Sequence, residues 1–120
     1  MSPNNKKKLN LIRTKLDKLD NKLLSLIRQR TGLVKEVLKL KEFKKEIVDQ
    51  KRINFILNKI KGKSKKLKID PKITNRIWKN MIWSYIDYER RNFKKIWNNF
   101  FTSMFTRIFW LVHGIKRISR

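Results

Sequence analysis

Cysteine is missing from this 120-residue chain. Its absence excludes a disulfide framework, a thiol nucleophile and a zinc–thiolate centre. The single histidine, His113, cannot build a histidine-rich metal site, so neither a metal nor a cofactor is expected. Three glycines and two prolines leave little punctuation, which favours long helices over many short strands. Acidic residues are also scarce, 9 against 33 lysines and arginines, and the net charge is +24. Such a surplus suits an anionic partner: nucleic acid, a membrane surface or a small polyanion. Lysines on solvated faces would account for much of it with no partner at all. The opening MSPNNKKKLN lacks the apolar run of a secretory signal, so a reduced, cytoplasmic setting is the expectation. The length suits one domain.

What the chain does have is a leucine seam with an arginine in it. Ile12, Leu16, Leu19, Leu23, Leu26, Arg30, Leu33, Val37 and Leu40 alternate spacings of four and three, the mark of one buried stripe on a long helix. A buried arginine left unpaired costs several kcal/mol, so Arg30 should face an anion, either a side chain or a ligand. The first helix is predicted from about Lys8 to Phe43. At ~1.5 Å per residue it is about 50 Å long, too long for a compact monomer of this size. Its seam needs a partner along its length, which implies an oligomer. A second helix is expected over about Val48 to Ile60, with Ile53, Ile56, Leu57 and Ile60 on one face and Gly62 and the following lysines ending it. Asp70-Pro71 then opens a third, with Asp70 as N-cap and proline in the first turn. Its apolar face reads Ile73, Ile77, Trp78, Ile82, Ile86, Phe93 and Ile96. The fold class is therefore all-α: a three-helix protomer with a very long first helix.

The chain divides into a basic N-terminal tail (1–8), a helical body (9–97) and an aromatic, basic extension (98–120). In the extension, Phe100, Phe101, Met104, Phe105, Ile108, Phe109, Trp110 and Leu111 crowd together, interrupted by Arg107 and His113. That is too short and too interrupted for a transmembrane helix. Continuation of the third helix, packed on the body, is the first expectation; a helix lying against a membrane surface is the second.

Several charged residues sit where apolar ones are expected. Lys41 lies eleven residues after Arg30, close to three helical turns, and so on nearly the same side. Asp49 and Arg52 are three apart at the start of the second helix. Glu89 interrupts the third-helix series Ile82, Ile86, Glu89, Phe93, Ile96. If the three faces meet, they form a pocket with several cations and one carboxylic acid. The plainer alternative is a buried Arg30–Glu89 ion pair. Arg13 precedes Arg30 by seventeen residues, about 25 Å along one helix, so a small ligand touching both must take one from a second protomer.

The series Arg13-x6-Asp20-x-Lys22-Leu23-Leu24-x5-Arg30-x10-Lys41, followed by Asp49-x2-Arg52, resembles the all-helical chorismate mutases, over roughly Leu9 to Phe93. The resemblance implies an intertwined homodimer with two equivalent sites, rearranging chorismate to prephenate on the route to phenylalanine and tyrosine. By that resemblance, Arg30 and the partner chain's Arg13 would hold the substrate's two carboxylates. Lys41 would donate to the ether oxygen of the breaking bond and to a carboxylate, and Asp49 would accept near the ring hydroxyl. Arg52 matches an arginine one layer out from the substrate. Glu89 falls where many members carry Gln and some Glu, and Tyr85 where others place Ser. Apolar neighbours would favour the protonated form of Glu89, which could then donate to the ether oxygen, while Lys41 and the nearby arginines would oppose it.

One position departs from the pattern. Many mutases carry a Glu after the arginine equivalent to Arg52, and this chain has Ile53. The isochorismate-pyruvate lyases are similar and carry an apolar residue there, which makes lyase activity the alternative within the fold. Outside enzymes, the rival is a basic helical nucleic-acid binder, favoured by the charge and by aromatics able to stack on bases.

Overall fold

The computed structural model describes the backbone of residues 1–118 and the side chains of residues 1–93 and 103–112. Three long helices follow in order: α1 (Pro3–Leu40), α2 (Gln50–Lys66) and α3 (Pro71–Ile118), with a 3-10 turn, Lys44–Glu46, between α1 and α2. No strand occurs among the described residues, so the all-α expectation holds. The chain separates into two units, residues 1–37 and 38–120.

The first unit is α1 alone. It starts five residues earlier than expected because Ser2-Pro3 repeats the Asp70-Pro71 device. The Ser2 hydroxyl accepts from the Asn5 backbone N–H at 3.2 Å, and proline occupies the first helical position. The seam positions Ile12, Leu16, Leu19, Leu23, Leu26, Leu33 and Val37 are all exposed, each by about half or more. Arg30 is half-buried. A helix of this length carrying an uncovered leucine stripe draws little stability from propensity alone, because helices in water owe most of theirs to packing of the apolar face.

The second unit holds the core. Ile47, Ile53, Ile82 and Ile86 are buried together, with Val48, Ile56, Leu57 and Phe93 packed around them. Truncating one such isoleucine to alanine costs about 2–5 kcal/mol. Helix α2 runs past Gly62 to Lys66, beyond the expected end near Ile60. One glycine costs about 1 kcal/mol in a helix interior, too little to stop it. The helix ends where Lys68 takes a left-handed φ of 58°. There the Ile69 N–H donates to the Ser64 carbonyl and the Lys68 N–H to that of Lys65, closing a Schellman turn.

The joint between α2 and α3 is polar inside. Ser64 and Thr74 are both buried, and their hydroxyls lie 2.7 Å apart. This contact sets the inward face of early α3. Thr74 is buried and Trp78 half-buried, whereas Ile73 and Ile77, expected inside, are exposed by more than half. Ile82 and Ile86 are buried and Phe93 half-buried, as expected, and Ile96 lies outside the described side chains. Asp70 caps α3 as expected, its Oδ1 accepting from the Lys72 N–H at 2.9 Å. Helix α3 continues through the extension to Ile118. The residues described there, 103–112, are exposed, so the expectation that they pack on the body is corrected. Among the described residues no helix is long and apolar enough to cross a membrane.

Candidate active site

The second unit brings Lys41 and Glu89 together across forty-eight residues of sequence. The Lys41 ammonium donates to both carboxylate oxygens of Glu89, at 3.0 and 3.2 Å. The pair is largely shielded, with side-chain exposures of 17% and 7%. Helix α3 dictates where Glu89 lies, because the stripe Ile82, Ile86, Glu89, Phe93 faces the core. A carboxylate there needs a compensating cation, and removing that partner from a buried pair costs about 3–5 kcal/mol. Lys41 meets it because α1 ends at Leu40. The Lys41 N–H turns to the Leu38 carbonyl at 3.2 Å, and Leu38 is itself buried.

Tyr85 is half-buried one turn before Glu89, on the same side of α3. Asp49 and Arg52 open α2. The Asp49 carboxylate is the N-cap, accepting from the Arg52 backbone N–H at 3.0 Å, and the Arg52 guanidinium lies over the Phe55 ring at 5.3 Å. Both residues are exposed. Ile53 follows directly, with its side chain buried against Ile82 and Ile86. The position that carries an acid in many chorismate mutases is here a core residue.

In the first unit, Arg13 and Arg30 lie on α1, Arg13 exposed and Arg30 half-buried. Seventeen helical residues separate them, about 25 Å along the axis.

The sequence left open the conformation of the loop, Glu42 to Ile47, that carries Lys41 toward α2. The Glu46 carboxylate turns back onto its start, with Oε2 accepting from the Glu42 N–H at 2.7 Å and the Phe43 N–H at 3.0 Å. Those two backbone donors, Phe43 first, hold the Glu46 carboxyl below the usual carboxylate range. The spacing Phe43-x2-Glu46 is that of a capping box, a signal readable in sequence but for the phenylalanine at the cap. A folded-state pKa below the unfolded value means stability that is present above the unfolded pKa and lost as pH falls through the folded one. Acidification should therefore release this loop. In a proton NMR titration the Glu42 and Phe43 amide resonances should move together with Glu46 in the wild type and stay put in Glu46→Gln. Amides that ignore the titration in the wild type would remove Glu46 from this role.

The residues supply cations, two carboxyls and a phenol. Among the described residues no cluster of acidic, histidine or cysteine side chains could hold a metal ion. Lysine and arginine suit recognition of a carboxylated ligand, arginine by a bidentate fork and lysine as a point charge.

Comparison with known proteins bears on the family of the chain. The family model for type II chorismate mutases matches residues 12–90. A chorismate mutase from Methanocaldococcus jannaschii is 36% identical over 76 residues, which span 62% of this chain and 77% of that protein. No solved structure matches the chain at a significant level.

Proposed function

The chain belongs to the type II chorismate mutase family, and from that premise we propose which of its residues perform the reaction. The activity is the isomerisation of chorismate to prephenate. The lyase and nucleic-acid readings are not favoured beside it. We place this step in aromatic amino acid biosynthesis and the enzyme in the cytoplasm.

The reaction moves one bond within one molecule and needs no nucleophile. The protein must hold a dianion in a compact conformer, which is a positioning task. It must also stabilise negative charge growing on the ether oxygen as the carbon–oxygen bond breaks. In our reading Arg30 and the Arg13 of a second copy of this chain hold the two carboxylates. Lys41 donates to the ether oxygen and to a carboxylate. Glu89, protonated in the complex, donates to the same ether oxygen. Asp49 accepts near the ring hydroxyl while capping α2, Tyr85 lines the site one turn from Glu89, and Arg52 supports it from the start of α2. The observation that carries the reading is the buried Lys41–Glu89 pair, at the positions where the family resemblance puts the two ether-oxygen donors. Both side chains are shielded from water, where a charge-assisted bond counts most.

An intertwined homodimer completes the reading. Its support is the seam of α1, exposed along the whole single chain, together with the distance between Arg13 and Arg30. Chorismate consumption without added metal or cofactor, with the product identified by NMR, tests the activity. Release of pyruvate would reassign the chain to the lyases, and no turnover would withdraw the enzyme reading. The shared site has its own test. Arg13→Ala and Arg30→Ala chains should each be inactive, yet regain about a quarter of wild-type activity when refolded together in equal amounts. Half the dimers are then mixed, with one intact site of two. No recovery in verified mixed dimers would withdraw the shared site.

A further inference from the structure

Helix α3 does not stop where the family match does. It runs to Ile118, whereas the match ends at residue 90. That leaves about 40 Å of helix beyond the shared body. Within it, seven of the ten residues from Ser103 to Val112 are large and apolar, and six of these, such as Phe105 at 72% and Trp110 at 68%, are exposed by nearly half or more. They do not form a narrow seam. At 100° per residue, Met104, Ile108 and Leu111 share one stripe, Phe105, Phe109 and Val112 the next, and Trp110 a third. A helix apolar over so much of its circumference belongs in a protein core or against lipid.

Charge decides between these. Arg90, Lys94 and Lys95 precede the apolar stretch and Lys116, Arg117 and Arg120 follow it, while no aspartate or glutamate occurs after Glu89. A second copy of the same helix would bring like charges together. A bilayer with anionic headgroups offers apolar depth for the aromatics and opposite charge for both ends. Arg107 lies within the apolar stretch and no described helix is apolar enough to cross. We infer that the α3 extension lies in the headgroup boundary of an anionic membrane and docks the enzyme on its surface. This goes beyond the mutase reading and does not depend on it.

Flotation of the full chain with lipid vesicles tests the inference. The chain should float with phosphatidylcholine vesicles containing about a third phosphatidylglycerol, and high salt should release it. Phe105→Ser/Phe109→Ser should weaken partitioning roughly a hundredfold, since two aromatic side chains leave the apolar layer. Lys116→Gln/Arg117→Gln should weaken it by about tenfold or more. Both variants should keep the wild-type circular dichroism and turnover, because all four positions lie beyond the matched residues 12–90. Brominated acyl chains should quench Trp emission in the wild type, and less so in Trp110→Phe. Absence of flotation, equal flotation with vesicles of phosphatidylcholine alone, or indifference to the aromatic substitutions would overturn it. So would a sedimentation change in Phe105→Ser/Phe109→Ser showing that the extension holds copies of the chain together.

Discussion

Replacing Arg30 with alanine is expected to lower kcat/KM by a hundredfold or more while the protein stays helical. Arg30 breaks an otherwise aliphatic series on α1, and in our reading it grips a substrate carboxylate. Loss of one bidentate, charge-assisted contact that tightens in the transition state removes about 3 kcal/mol or more. Stability separates this role from a structural one. If Arg30 were a buried ion-pair partner, its removal would strand an opposite charge and cost about 3–5 kcal/mol. If it serves substrate, activity should fall far more than the urea midpoint does. Arg30→Lys should recover little, because an ammonium cannot reproduce the guanidinium fork. Turnover near the wild type, or a collapse of stability matching the loss of activity, would take Arg30 out of the site.

Much of the architecture was legible because it rests on local rules. The four-three spacing on α1 and the Asp70-Pro71 start of α3 each follow from a few adjacent residues, and both stand. The failures have physical causes of their own. Gly62 reads as a stop, but its cost is small beside the packing of α2 on α3. The actual end needs a lysine at positive φ, which no composition rule anticipates. Ile73 and Ile77 fit an apolar periodicity, yet the Ser64–Thr74 hydroxyl pair turns a threonine inward instead. For the site, the odd placement of Lys41 and Glu89 was visible one residue at a time. Their pairing was not, since no local pattern links residues forty-eight apart. The α1 seam was legible as an apolar stripe, and in the single chain that stripe is exposed.

Glu89→Gln should change the shape of the pH profile rather than simply reduce the rate. In the substrate-free site both Glu89 oxygens accept from Lys41, an arrangement that needs no proton on the acid. In our reading, Lys41 turns to the ether oxygen and a carboxylate when substrate arrives. In that reading Glu89 donates to the same ether oxygen. Only the protonated acid can donate to the ether oxygen. Activity should therefore be highest on the acid side and fall as pH rises. An amide donates at every pH, so the glutamine variant should lose that alkaline limb and match or exceed the wild type at neutral pH. Lys41→Ala supplies the contrast. It removes a donor and also leaves the buried Glu89 without its cation, so activity should vanish and stability should fall by about 3–5 kcal/mol. The measurement is kcat/KM against pH for all three proteins, with urea unfolding alongside. Superimposable profiles for wild type and Glu89→Gln, or a glutamine variant inactive throughout, would make Glu89 the structural partner of Lys41 and leave Lys41 as the sole donor to the breaking bond.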